Sequence, residues 1–279
     1  MPDVIETIQA ALSQRFGEDF EVDPKLAGLP ELASIAAHRV QRSYAARPIE
    51  PNLLRLLCAC ALSAPSKSDL QQADILIVRD ETKRKVIADL LPEMPWISQA
   101  PVFLVFLANG RRVPALFKLR NRPFPNDHFD LVFNASVDAA LVLMNFVRAA
   151  EAAGLGCCPI SVIRDHAAKI SELLELPDKV IPVAGMCVGW PVEESGISAR
   201  LPLSLTVHED RFDDGDLVAQ VDRYDRRRHA IWPYRKQRDE ARFGRAEFYG
   251  WSEDKARQYA VPQRSDFGAF ARAKGFHLD

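Results

Sequence analysis

No apolar run in this chain approaches the ~20 residues needed to cross a bilayer; the longest strand-like run is Val102 to Ala108, and no membrane partner is expected. The start, Met1-Pro2-Asp3-Val4-Ile5-Glu6, lacks the basic region and apolar stretch of a secretion signal, so a cytoplasmic protein is expected. An excess of one charge is missing too. With 36 basic and 38 acidic residues the net charge is -2, which gives no global field to attract nucleic acid or an anionic surface. Cysteine is scarce, at five residues, an odd number that argues against a disulfide framework. Cys58-Ala59-Cys60 and Cys157-Cys158 have the wrong spacing for zinc, which leaves buried free thiols as the plain reading. Internal repeats and low-complexity tracts are absent. What is present, 279 residues of which 48% are hydrophobic, suffices for a substantial core and favours work on a small molecule.

Val4, Ile5, Ile8, Leu12 and Phe16 fall at helical spacing and predict a first helix, with a second through Leu32 to Ala37. Pro51 opens a helix through Leu53, Leu54, Leu57 and Ala61 that must stop before Pro65. Ala73 to Val78 and Val102 to Ala108 read as buried strands, separated by a helical segment broken at Pro92 and Pro95. Val137 to Ala153 is apolar nearly all round and ends at Gly154. A helix without a polar face is buried on all sides, in a core or between subunits. Asp165 to Leu176 predicts a helix and Ile181 to Val188 a strand. The last ~70 residues carry charged helices, Asp216 to His229 and two beginning near Ser252 and Ser265. The irregular alternation of helix and strand indicates one α+β domain.

Four segments carry polar chemistry. His38-Arg39-Val40-Gln41-Arg42 places two guanidinium groups three residues apart, and such forks grip phosphate bidentately at every working pH. Surface arginines at a helix end have the same look. Ala64-Pro65-Ser66-Lys67-Ser68-Asp69-Leu70-Gln71, at a helix-to-strand handover, offers donors and acceptors to a polar heterocycle, or else is a plain polar loop. Gly154-Leu155-Gly156-Cys157-Cys158-Pro159-Ile160-Ser161 turns a buried helix into an extended piece where backbone can approach a flat ligand. Gly185-Met186-Cys187-Val188-Gly189-Trp190-Pro191, followed by Arg200-Leu201-Pro202, can return a third cation to a phosphate.

In this order and at these separations the four segments resemble the nitroreductase family, from about His38 to the C-terminus. The strand-end Gly-Trp-Pro, Arg-Leu-Pro, Val207-His208-Glu209 and Trp251-Ser252 are similar to the larger oxygen-insensitive NADPH nitroreductases and NADPH:flavin oxidoreductases. The resemblance implies an α+β nitroreductase-like fold, with a central mixed or antiparallel sheet flanked by helices and a buried helix at a dimer core. It implies a helical extension over 1–37, an FMN-binding core over 38–210, and a helical arm of the same domain over 211–279 that wraps the core or the partner.

By the same resemblance His38, Arg39, Arg42 and Arg200 hold the FMN phosphate, and Ser66, Lys67 and Ser68 meet the ribityl chain and the isoalloxazine edge. In the family that loop can belong to the other subunit. Pro159, Ile160 and Ser161 match the segment along the flavin, whose backbone amide near N5 steers the redox chemistry. Three positions depart from the family pattern: Val40 where serine is usual, Ser161-Val162 where Gly-Gly is common, and Asp69 where many smaller relatives have asparagine.

Flavin carries the hard chemistry, so no catalytic base is required of the protein. The implied activity is a ping-pong reduction of nitroaromatics or quinones by NADPH or NADH. Free flavin as acceptor, or FMN binding without turnover, are the alternatives. Residues 223–245 hold nine basic and three acidic side chains with Trp232, Tyr234 and Phe243 interleaved, where close relatives bind the NADPH 2'-phosphate. Arg235 and Arg238 are the candidates; a solvated helical face is the other reading. The apolar helix implies a homodimer, and Phe117 to Phe129 or the basic arm a lid.

Overall fold

The computed structural model describes residues 3–193 and 195–279. Its helices, in chain order, are α1 (Val4–Phe16), α2 (Leu29–Ala36), α3 (Pro51–Leu62), α4 (Glu81–Leu90), α5 (Trp96–Gln99), α6 (Arg112–Leu119) and α7 (Phe129–Ala152). They continue with α8 (Ala167–Leu173), α9 (Leu203–Thr206), α10 (Leu217–Ile231), α11 (Glu240–Phe243), α12 (Trp251–Gln258) and α13 (Phe267–Ala273). The strands are β1 (Ala73–Ile77), β2 (Val102–Asn109), β3 (Gly156–Ile160) and β4 (Val180–Gly189). The chain divides into two units: Met1–Arg39 with Gly196–Gln263, and Val40–Ser195 with Arg264–Asp279.

The larger unit is built on one four-stranded sheet of order β1-β2-β4-β3, every neighbouring pair antiparallel. Side chains alternate across the sheet. Leu104, Phe106, Met186, Val188 and Cys157 face α3 and α7, whereas Phe103, Val105, Cys187 and Cys158 face Ile87 of α4, Ile97 of α5 and Ile170 of α8. The result is helices on both faces of a sheet. β2 is buried along nearly its whole length, as its apolar run predicts, but β1 is only half-buried because it is an edge strand with one neighbour.

Helix α7 starts eight residues earlier than its apolar run, at Phe129, with the His128 ring accepting from the Asp130 N–H. Asp130 and Asn134 interrupt the apolar pattern and hide the first two turns. Nine α7 residues pack inside the chain, among them Ala135, Ala139, Phe146 and Ala150. On another face Phe129, Phe133, Val137, Leu141 and Met144 are exposed, each 40 to 53% accessible. Within one chain the helix is therefore not covered all round. Its length and composition match those of a bilayer-crossing helix, and 44% of its apolar window is buried inside the chain.

The C-terminal segment does not stay with the preceding charged helices. Residues 264–279 belong to the larger unit, where Phe276 is fully buried beside Ala108, Leu131 and Ile181 and the Lys179 N–H donates to the Lys274 carbonyl.

In the smaller unit α1 and α2 pack through Ile8, Leu29 and Ala33. Buried Asp225 of α10 accepts the Ser252 N–H at 2.9 Å and the Ser252 hydroxyl, fastening α12. All five cysteines are free; Cys157, Cys158 and Cys187 are buried, but Cys60 is exposed on α3.

Candidate functional site

In the larger unit the segment after Val40 is laid along the end of the sheet by backbone pairing. The Gln41 N–H donates to the Cys157 carbonyl at 2.9 Å, Ala45 N–H to Trp190 at 2.8 Å, and Tyr44 bridges to Pro191. Gln41 is buried, and its amide oxygen accepts the Ser195 hydroxyl at 2.9 Å. Gly156 is needed opposite it, since a Cβ there would stand 2.5 Å from Gln41 Cγ. The Tyr44 hydroxyl donates to the Gln41 carbonyl, and burial, reinforced by the neighbouring thiols, pushes its pKa well above the ordinary phenol value.

With Gln41 and Tyr44 turned inward, Arg42 points out. Its guanidinium lies 5.5 Å over the Trp96 ring and beside the Cys158 thiol, whose pKa burial raises against the lowering pull of Arg42. The structure thus brings Arg42 next to β3. There Pro159 and Ser161 are exposed and Ile160 is buried. β3 is an edge strand, where proline costs no ladder bond. Because Cys157 turns its carbonyl away from β4 toward Gln41, the two-residue alternation turns the backbone edge of Pro159 outward as well.

Ser66, Lys67 and Ser68 lie at the opposite edge, in the loop between α3 and β1. Three strand spacings, about 14 Å, separate the two edges, so one chain does not bring this loop to its own β3. The loop is shaped by a residue that the motif reading missed. Asp138 of α7, 2% exposed, accepts the Ser66 hydroxyl at 2.7 Å and the Gln72 N–H at 3.1 Å on one oxygen, and the Lys67 N–H at 3.0 Å on the other. Ser68, Asp69 and Gln71 hold left-handed backbone, with φ of 50°, 57° and 52°. Below the loop is a cavity of ≈ 670 Å³ lined by Pro65, Ser66, Asp74, Arg112 and Asp138 together with Gln72. The Gln72 amide is buried there with no protein partner among the described residues. Arg112 pairs with Asp74 at 2.7 Å and donates to the Gln71 carbonyl. A carboxylate set directly among the apolar residues of α7, between Val137 and Ala139, was the available signal for Asp138.

In the smaller unit His38 and Arg200 are drawn together by Arg15, the other residue missed. Arg15 is 7% exposed and donates to the carbonyls of His38 at 2.7 Å, Ala36 at 3.0 Å and Ser198 at 3.2 Å. Its own carbonyl accepts the Arg200 N–H at 2.7 Å. Arg200 also donates to the Ser198 hydroxyl at 2.6 Å, and Arg227 donates to the carbonyls of Arg15 and Arg200. The Arg39 Nε donates to the Ala37 carbonyl at 3.1 Å. On a helix face Arg15 reads as an ordinary surface charge.

Of the two basic-arm candidates, Arg235 is exposed, whereas Arg238 is half engaged: its Nε pairs with buried Asp254 at 2.9 Å. The Asp254 carboxyl is held below the ordinary range although burial raises it, because Lys255, Tyr249 and Arg238 together outweigh that cost. Residues 117–129 include the end of α6 and the stretch leading to α7, with Phe117 and Phe124 rings 5.0 Å apart.

Comparison with known proteins shows the family and the fold. The model of the Nitroreductase family matches residues 35–190, and that of the Nitroreductase family C-terminal domain matches residues 198–279. The FMN reductase [NAD(P)H] of Bacillus subtilis (strain 168) is 34% identical over 197 residues, 70% of this chain and 79% of that protein. Among solved structures, NfrA2 of B. megaterium superposes with a TM-score of 0.80 at 29% identity, covering 89% of this chain and 98% of the other. The NADPH:FMN oxidoreductase from Vibrio harveyi complexed with NAD+ gives 0.76 at 27% identity, covering 88% and 97%.

Proposed function

Because the chain belongs to the nitroreductase family, we propose that it is an FMN-dependent NAD(P)H oxidoreductase that reduces electron-poor acceptors, nitroaromatics and quinones, as a homodimer. The observation that carries this reading is the pairing of Arg42 with the exposed edge of β3 through the Gln41–Cys157 hydrogen bond.

The residues fit a flavin mononucleotide. Arg42 is exposed, stacked and without an ion pair among the described residues, which suits a phosphate-gripping fork. In this reading Arg42, with His38 and Arg39 just before it in sequence and with Arg200, holds the phosphate. Pro159, Ile160 and Ser161 lie along the ring, and Ser66, Lys67 and Ser68 meet the ribityl chain and ring edge. When bound, FMN supplies the two-electron chemistry, taking hydride from NAD(P)H and giving it to the acceptor. The chain's own side chains bind, orient and exclude water, and donor and acceptor alternate at one open face.

The position of Ser66–Ser68 at the sheet edge opposite β3 supports the homodimer, because the loop then serves the flavin of a second copy. The exposed α7 stripe, with Leu56 and Leu62 of α3, offers the apolar face for that copy. Arg235, and the part of Arg238 not engaged by Asp254, are proposed to meet the NADPH 2'-phosphate; equal efficiency with NADH and NADPH would remove that role.

The test is the absorption spectrum of the purified protein and its response to donors. Yellow protein, or stoichiometric uptake of added FMN, followed by anaerobic bleaching with NADPH or NADH, is expected. Colourless protein that takes up no FMN overturns the reading, and flavin that neither donor bleaches leaves only a binding protein. Relatives named for reducing flavin support free flavin as a second acceptor. Comparing kcat/KM for added FMN and for a nitroaromatic separates the two.

A further inference from the structure

A carboxylate in the middle of α7, flanked on its buried face by Ala135, Ala139 and Val142, is expensive unless its lone pairs are filled. Among the described residues no Lys or Arg side chain pairs with Asp138. Its donors are the Ser66 hydroxyl and the N–H groups of Lys67 and Gln72, all from the two ends of one short loop. Both ends of the arch over 66–72 are therefore pinned to a rigid helix. The Gln71 N–H adds a further tie to the Ser66 oxygen at 2.7 Å.

The arch itself is strained. Ser68, Asp69 and Gln71 each carry left-handed backbone without being glycine, at a cost of about 1 kcal/mol or more apiece. Such a conformation persists only where its surroundings over-determine it, and the Asp138 clamp does so. The exposed side chains of Lys67 and Ser68 stand on that arch. Asp138 also directly follows Val137 and lies one turn before Leu141, both in the exposed apolar stripe. The helix that presents the stripe is thus the helix that grips the loop.

We propose that Asp138 is a positioning residue for the flavin-binding loop: by clamping Ser66, Lys67 and Gln72 to α7 it sets where Lys67 and Ser68 stand against the cofactor. This rests on the reading that residues 66–68 meet FMN. A neutral amide of the same shape cannot replace it. In Asp138→Asn one oxygen is lost and an N–H₂ group faces either the Lys67 N–H or the pair formed by Gln72 N–H and the Ser66 hydroxyl, setting donor against donor.

The experiment is FMN titration of wild-type and Asp138→Asn apoprotein, with the visible circular dichroism of bound flavin, well below either melting temperature. The expected result is FMN binding at least about tenfold weaker in the variant, with an altered flavin circular dichroism at saturation. A purely structural role would lower the melting temperature and leave affinity and flavin dichroism unchanged, and that outcome overturns the proposal. Wild-type protein that takes up no FMN overturns the site reading and this proposal together. Should the variant not fold, amide exchange in the wild-type protein decides: slow exchange at Lys67 and Gln72 is expected, and fast exchange at both overturns the clamp.

Discussion

Arg15 is the residue whose loss should be felt furthest from its own position. It satisfies three carbonyls, at Ala36, His38 and Ser198, while buried. Replacement by Met keeps the apolar stem but leaves those acceptors without a donor, for an expected loss of about 3 kcal/mol in urea denaturation. Lysine, a point charge without the fork, should recover only part of it. Asp254 makes a second test, with a pH signature. Its folded pKa lies below the unfolded value, so its stabilisation is fully present above the ordinary carboxylate pKa of about 4 and is lost as pH falls through the depressed value. Asp254→Asn should therefore cost about 2 kcal/mol at pH 7, discounted because Arg238 is half exposed, and much less once the pH has fallen through that depressed value. An equal cost above and below that value would show that the ion pairs are not the source.

At the scale of elements, the local punctuation was legible. Pro51 and Pro65 bracket α3, Gly154 with φ +76° follows α7, and Gly189-Trp190-Pro191 closes β4. Periodicity placed α1, and charged composition with start signals placed α10 and the beginnings of α12 and α13, to within a few residues. The strand runs did not reveal which strand is an edge, because burial of a strand depends on its neighbours rather than on its own residues. Nor did the charged composition after residue 210 reveal that α13 rejoins the larger unit. Phe276 anchors that return, and a Cβ on Gly110 would stand 2.3 Å from its ring. Phe276→Ala should cost about 3 to 4 kcal/mol and free the last residues to proteolysis. A melting temperature unchanged by the substitution would show that α13 contributes nothing to that core.

For the whole molecule, the sheet order forces the question of a second copy. The proposed flavin loop and the proposed flavin strand occupy opposite edges of one sheet, and the exposed stripe from Phe129 to Met144 runs along α7, the helix that grips the loop. Leu141→Glu puts a charge in the middle of that stripe. The variant should sediment as a monomer and lose FMN with the dimer, while its circular dichroism remains that of folded protein. A dimer that survives with flavin bound would place the interface elsewhere.

By itself the amino-acid order determined the elements, the α+β class and the family, because caps, proline stops, hydrophobic period and short motifs act over a few residues. It also singled out Arg42, Ser66 to Ser68 and Pro159 to Ser161 as a set, although not how they are shared between sheet edges. Only the tertiary structure decided which buried polar groups meet: Asp138 with Ser66, 72 residues away, and Arg15 with Ser198, 183 residues away. A buried charge must find its partners wherever the packed chain brings donors and acceptors together, and that is a property of the sheet order and helix packing that no local pattern carries.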